Sequence, residues 1–170
     1  WFQMSFARFN DDFSDHSIET SRIYMPGAIT KKLEGRSYVW HWPGFATRMI
    51  TLDNGDLMAA MFGLFEGDAV GGGQGSRVIA VRSNDDGRTW RYQGTVSNRA
   101  DDPDPQLPGI FAGFTESNIA SLRNGQLLCI MRSQGSHLPG EYRPLYVSWS
   151  DDLGKTWTKP KPTQPHLMNI

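Results

Sequence analysis

Apolar and polar residues along this chain alternate with a short period that predicts β-strands. Two Asn-Gly dipeptides, at 54–55 and 124–125, each separate two apolar runs, which is the strongest short hairpin signal in a sequence. The predicted hairpins pair residues 49–52 with 57–62, and 119–122 with 127–131. The sequence shows no long helical period, so it predicts an all-β chain.

Each predicted hairpin is the first half of a longer unit that occurs twice. Between a third and a fourth strand the chain reads Ser-x-Asp-x-Gly-x-Thr-Trp, at 83–90 and again at 150–157, 67 positions apart. The two Asn-Gly turns are 70 positions apart, so the repeat is a unit of nearly 70 residues. Four antiparallel strands per unit are typical of a propeller blade. The later strands are predicted at 77–82 and 91–96 in the first unit and at 144–149 in the second.

The repeated octapeptide has the chemistry of a tight turn. An Asp in a turn accepts hydrogen bonds from nearby backbone N–H groups, a Gly allows positive φ, and a Trp is large enough to hold the turn against the sheet. The octapeptide resembles the Asp box, or BNR repeat, of the sialidase superfamily. This resemblance implies a structural role for both octapeptides, on the rim away from the ligand face.

The resemblance also implies that the chain is a fragment of a β-propeller, six-bladed in the full parent, because two repeats do not close a propeller. Candidate strands at 22–25 and 37–42 are expected to belong to an earlier blade. In chain order, the predicted parts are the remnant of a preceding blade at 1–44, a blade at 45–98, an inter-blade loop at 99–115, a blade at 116–160 and the start of the next blade at 161–170.

Glu116 and Arg132 flank the second predicted hairpin and are the candidate site residues. The stretch from Glu116 through the Asn124-Gly125 turn to Arg132 resembles the sialidase pattern of a Glu, a strand, a turn, an apolar strand and an Arg. The resemblance implies that Glu116 is the catalytic base for a tyrosine nucleophile and that Arg132 binds the substrate carboxylate. Hairpin geometry puts both residues at the outer ends of paired strands. An ordinary cross-strand ion pair is the alternative interpretation.

Other parts of the sialidase pattern are incomplete in this sequence. Arg48-Met49-Ile50 is the nearest match to the Arg-Ile-Pro motif of the family, and it lacks the proline. Asp68 is a weak candidate for the general acid. The tyrosine and a further arginine are expected beyond Ile170, so a complete active site is not expected within these residues.

Composition narrows the classes of partner. The formal net charge of −1 gives no electrostatic attraction to nucleic acid or to an anionic membrane. The single cysteine, Cys129, lies in an apolar run and is expected to be a buried, inert thiol. The four histidines are scattered, so no metal site is predicted and no cofactor is expected. No apolar stretch reaches the length of a membrane span and no signal peptide is visible, although a lost leader would imply a secreted or periplasmic protein.

The function that this resemblance implies is an exo-glycosidase of sialidase type, which hydrolyses a terminal sialic acid or a related acidic sugar from glycans. Two alternatives stay open. The first is a propeller that acts on another acidic polysaccharide as a hydrolase or lyase, and the second is a non-catalytic glycan-binding propeller. In each case the expected partner is a glycan, and the sequence leaves the oligomeric state open.

Overall fold

The computed structural model describes residues 1–29, 44–66, 68, 77–98, 111–135 and 145–163. These residues form β-strands, turns and irregular segments, with no helix among them, which confirms the predicted all-β class. In that part of the chain no helix has the length and apolar character of a membrane span. The strands are β1 (Phe2–Phe9), β2 (His16–Tyr24), β3 (Gly44–Thr51), β4 (Leu57–Gly63), β5 (Arg77–Ser83), β6 (Thr89–Ser97), β7 (Phe111–Ser121), β8 (Leu127–Gly135), β9 (Leu145–Ser150) and β10 (Lys161–Pro162).

The strands form two sheets, and the two predicted hairpins begin the two successive meanders. Sheet 1 has the order β1-β2-β6-β5-β4-β3, in which β3 to β6 are antiparallel neighbours. Sheet 2 has the order β10-β9-β8-β7, again antiparallel throughout. Gly55 and Gly125 have φ of +87° and +84°, the left-handed conformation that only glycine adopts without strain, which explains the Asn-Gly turns.

The N-terminal hairpin of β1 and β2 joins sheet 1 through a short parallel contact. Arg22, Ile23 and Tyr24 of β2 pair with Thr89, Trp90 and Arg91 of β6. The candidate strand at 22–25 therefore falls at the end of β2, whereas the candidate strand at 37–42 lies outside the described residues. The assignment of residues 1–44 to a preceding blade stays a prediction. At the other predicted boundary, β7 begins at Phe111, so the last five residues of the predicted loop 99–115 are extended strand.

Two apolar cores lie on opposite faces of sheet 1. The central core joins sheet 1 to sheet 2, and the hairpin core lies between sheet 1 and the β1–β2 hairpin. Alternate residues of β4 point to the two cores, because side chains alternate between the faces of a strand. The central core contains Leu52, Met58, Ala60, Val78, Ala80, Val96, Phe114, Ile119, Leu127, Cys129, Met131 and Tyr146. The hairpin core contains Phe2, Ile23, Met25, Ala59, Met61, Phe65, Ile79, Val81 and Trp90.

The two octapeptides fold into the same turn. In each, the first serine hydroxyl accepts the N–H of the glycine, at 2.9 Å in both turns. Asp85 accepts the N–H and the hydroxyl of Thr89 at 2.7 and 2.5 Å, and Asp152 accepts the same two groups of Thr156 at 2.9 and 2.6 Å. The residue before each glycine, Asp86 or Leu153, has φ near +60°. The same hydrogen bonds and the same left-handed residue therefore occur in both turns.

Each turn also receives a close contact from the outermost strand of the neighbouring unit. Gln93 on β6 donates from Nε2 to the carbonyl oxygen of Leu153 at 2.9 Å. On the other side of sheet 1, Ser21 on β2 donates its hydroxyl to the carbonyl oxygen of Gly87. Arg22 donates its backbone N–H to the carbonyl oxygen of Arg88 at 2.9 Å. Strand β2 therefore meets the first octapeptide much as β6 meets the second.

Candidate functional site

Glu116 occupies a β-bulge in the middle of β7. Thr115 pairs with Arg132 and Ser117 pairs with Met131, so Glu116 is an extra residue on β7. Thr115 and Ser117 are both buried, whereas Glu116 is exposed. A bulge adds one residue to one strand and redirects a side chain, and bulges are common next to active sites.

Arg132 lies beside Glu116 on the exposed face of sheet 2. The Arg132 Nη1 donates to Glu116 Oε2 at 2.9 Å, and the two side chains are 49% and 58% exposed. An ion pair this open to solvent contributes under about 1 kcal/mol to stability. Glu116 has a second carboxylate oxygen and Arg132 has further N–H donors, so each side chain can bond a second group.

The position of the pair differs from the expectation of strand ends. Strand β7 begins five residues before Glu116, and β8 continues to Gly135, so both residues lie inside their strands. The bulge explains the difference, because it absorbs one residue and lets pairing continue beyond it. The consecutive burial of Phe114 and Thr115 marks the break in alternation that this requires. The sequence gives only a weak signal for this bulge, because the polar run from Thr115 to Asn118 does not fix a strand register.

The weaker candidates belong to other parts of the chain. Asp68 lies in the loop after β4, where it accepts the N–H of Phe65 at 3.0 Å and forms an ion pair with Arg77. Among the described residues these are the partners of Asp68, so its contacts stabilise the loop. Arg48 is exposed on β3 of sheet 1. Glu116 and Arg132 are the candidate residues that the structure brings into contact.

The side chain of Cys129 on β8 points to the face of sheet 2 opposite to that of Arg132. Its side chain is fully buried in the central core, and burial raises the pKa of the thiol far above its ordinary value. A thiol that is neutral and shielded from solvent is unreactive, which confirms the expectation of an inert cysteine.

Comparison with known proteins assigns this chain to a family. The model of the BNR repeat-like domain matches residues 45–169, which include both octapeptides and the Glu116–Arg132 pair. No functionally curated protein matches the sequence.

Solved structures share the fold at low sequence identity. A protein of unknown function from Dyadobacter fermentans has a TM-score of 0.63 at 16% identity over 92% of this chain. A Hadza microbial sialidase has a TM-score of 0.60 at 20% identity, also over 92% of this chain. A family 117 glycoside hydrolase from the marine bacterium Zobellia galactanivorans has a TM-score of 0.50 at 18% identity over 75% of this chain. The chain spans 37%, 24% and 42% of their respective lengths.

Proposed function

We propose that this chain, which belongs to the BNR repeat-like domain family, is part of a glycan-processing β-propeller. The full parent is proposed to release a terminal acidic sugar. In this proposal the two sheets are two blades of a six-bladed ring, and the octapeptides are Asp-box turns. The Glu116–Arg132 pair carries the proposal, since it places a base and a carboxylate-binding group side by side.

Arg132 is proposed to bind the substrate carboxylate. A guanidinium has a planar fork of five N–H donors, and it binds a carboxylate through two parallel hydrogen bonds. Among the described residues Arg132 contacts Glu116 through Nη1, which leaves Nη2 and Nε for a ligand.

Glu116 is proposed to act as the base for a tyrosine hydroxyl supplied by another part of the parent. A sialic acid carries a carboxylate on its anomeric carbon, which repels a carboxylate nucleophile, and sialidases are among the exceptions to the two-carboxylate rule. A tyrosine with an ordinary pKa near 10 needs a base beside it to become a nucleophile. The bulge supports this role, because it turns Glu116 outward between two buried neighbours.

Kinetics of the full-length parent on a fluorogenic sialoside test both roles. Glu116→Gln removes the base and is expected to lower kcat by about 100-fold to 10,000-fold. Arg132→Lys keeps the charge but loses the planar fork, so it is expected to raise KM more than it lowers kcat. The matched controls are Asp151→Asn and Arg123→Lys, both exposed residues at turns of sheet 2, which should leave turnover unchanged.

Unchanged turnover in Glu116→Gln would show that this role is wrong. A parent without sialoside cleavage would favour the alternatives of another acidic polysaccharide or a non-catalytic binder. Assays on acidic polysaccharides, followed by isothermal titration with the same glycans, then separate those two.

A further inference from the structure

Three exposed side chains form a row from the start of β1 across β2 to β6. Tyr24 of β2 pairs with Arg91 of β6, and the ring of Trp1 lies beside that of Tyr24 with 4.9 Å between their centroids. The guanidinium carbon of Arg91 is 5.5 Å from the centroid of the Trp1 ring and 5.9 Å from that of Tyr24. Trp1, Tyr24 and Arg91 are together called the aromatic platform, because two rings and one cation share one surface.

The aromatic platform is open to solvent although its backbone is anchored. Trp1 and Tyr24 are 65% and 39% exposed. The sequence neighbours of the platform residues, Phe2, Ile23 and Trp90, are buried in the hairpin core on the opposite face of the strands. An exposed ring pair with a cation adds only about 1 kcal/mol to stability, which does not account for an exposed tryptophan. The buried neighbours hold the rings in place, so a ligand can bind them without ordering a loop.

The aromatic platform carries positive charge that the protein does not balance. Arg22 is exposed on the same face as Tyr24, since side chains two residues apart on a strand point the same way. Among the described residues no carboxylate forms an ion pair with Arg22 or Arg91. Arg82, the partner of Arg91 on β5, is already bound by Asp56. Two unpaired guanidinium groups therefore flank the rings, in a chain whose net charge is −1, and they favour an anionic ligand.

An acidic sugar matches this surface. The C–H face of a pyranose ring is apolar and packs on an aromatic face, and the indole N–H and phenol O–H of the platform can bond its hydroxyl groups. A guanidinium binds a carboxylate through two parallel hydrogen bonds. The Cα atoms of Arg22 and Tyr24 are about 7 Å apart at the usual rise of a strand, which suits one or two sugar units.

A nucleic acid strand also stacks on aromatic rings beside arginines, but the charges on this hairpin disfavour it. The turn at the other end of the hairpin carries Asp11, Asp12 and Asp15, all exposed. A polyanion long enough to follow the hairpin meets these carboxylates, whereas a single acidic sugar bound at the platform does not. The distribution of charge therefore favours a short anionic ligand.

We propose that the aromatic platform is a second, non-catalytic binding site that holds an acidic sugar residue of a glycan. The class of ligand rests on the proposed function. The platform lies on the hairpin and β6 of sheet 1, whereas Glu116 and Arg132 lie on sheet 2, so the two sites are separate. Two sugar sites on one protein raise the effective concentration of a branched glycan at the catalytic pair.

Isothermal titration of the full-length parent tests the platform, with Arg132→Ala present in every protein to remove the proposed catalytic contact. The probe is an S-linked sialyllactose, in which sulfur replaces the sialyl glycosidic oxygen and prevents hydrolysis. Lactose is its neutral counterpart and should bind at least about fivefold more weakly. We expect Tyr24→Ala and Arg91→Gln each to weaken binding of the sialylated probe about fivefold to tenfold, since each removes one exposed contact.

Tyr92→Ala and Arg123→Gln are the matched controls and should leave the affinity unchanged. Tyr92 is 40% exposed on β6, almost the same as Tyr24, and its hydroxyl contacts Thr95 outside the platform. Arg123 is exposed at the turn between β7 and β8. Circular dichroism checks that each variant is folded, and Arg91→Gln decides the test if Tyr24→Ala fails to fold.

Absence of binding by the sialylated probe overturns the proposal, and so does binding that Tyr24→Ala and Arg91→Gln leave unchanged. Equal affinity for the two probes would show that the platform does not recognise the carboxylate. Tighter binding of a short single-stranded oligonucleotide would identify a nucleic acid as the occupant. With Arg132 intact, Tyr24→Ala should leave hydrolysis of the fluorogenic sialoside unchanged, and a loss of turnover would contradict a separate site. The titrations need no turnover, so their outcome is distinct from that of the sialoside assay.

Discussion

Thr156 donates two hydrogen bonds to the Asp152 carboxylate, one from its hydroxyl and one from its backbone N–H. These bonds stabilise the charged carboxylate and lower the pKa of Asp152 from its ordinary 3.8 to about 2. For Asp85, burial opposes the change, but the same two groups of Thr89 and the hydroxyl of Ser83 still lower the pKa. Both turns therefore depend on an ionised aspartate.

Acid is expected to weaken the fold through these two residues. A folded pKa below the unfolded pKa gives stability that is complete above about pH 4 and is lost as the pH falls towards about 2. Urea unfolding between about pH 5 and about pH 2 should show this loss in the wild type. Asp152→Asn should be less stable near pH 5 and should show a weaker acid dependence.

Asp151→Asn is the control for this pH series, because the neighbouring Asp151 accepts a hydrogen bond from the Gln126 side chain and takes no part in the Thr156 contacts. It should follow the wild-type pH dependence. An Asp152→Asn protein with the acid dependence of the wild type would show that the turn does not need the charge.

At the level of elements, Gly94 of β6 packs tightly against the backbone of the second octapeptide turn. A Cβ at this position would stand 2.5 Å from the carbonyl oxygen of Lys155 and closer still to that of Gly154. These are backbone atoms and cannot rotate away. Gly94→Ala is therefore expected to destabilise the protein by about 3 kcal/mol, at the upper end for an overpacked contact, as measured by chemical unfolding.

Gly55→Ala separates this clash from the general effect of replacing a glycine. Gly55 has φ of +87° and no atom within 4 Å of its added Cβ, so the cost is conformational alone, about 1 kcal/mol. Equal losses at the two positions would mean that the sheets move apart to accept a methyl group at Gly94.

Local chemistry made the two hairpins, the later strands of the first unit, the third strand of the second unit and the octapeptide turns predictable from sequence. Strand β10, which pairs with β9 in sheet 2, was not predicted and falls in the stretch expected to start the next blade. Asn-Gly fixes a two-residue turn, and alternation fixes which residues pair with it. The contact between Glu116 and Arg132 followed from the same register. The N-terminal hairpin was only partly predicted, at 22–25, although β1 pairs with β2 along its length and the polar turn between them is closed by hydrogen bonds to Asn10 and Asp12. The bulge at Glu116 was not predicted, because the polar residues beside it lack the apolar alternation that would fix the strand register.

At the scale of the whole molecule, the outward face of sheet 2 corresponds to the face of sheet 1 that builds the central core. Ala60 is 2% exposed beneath sheet 2, whereas Ile130, 70 positions later, is 39% exposed. Leu128 and Val147 on the same face are only half-buried, while their counterparts Met58 and Ala80 are fully buried. A partly exposed apolar face of this kind binds hydrophobic dyes and promotes association.

Ile130→Lys is expected to reduce the binding of an apolar fluorescent dye to the 170-residue chain, and to change its stability by less than about 0.5 kcal/mol, because the site is open to water. In a full propeller the next blade covers this position, so the same change should cost about 2 kcal/mol or more there, since it buries a charge. Ile18→Lys, at a residue 68% exposed on β2, is the control for dye binding and should have a smaller effect. Equal stability loss from Ile130→Lys in the chain and in the parent would contradict a covering blade.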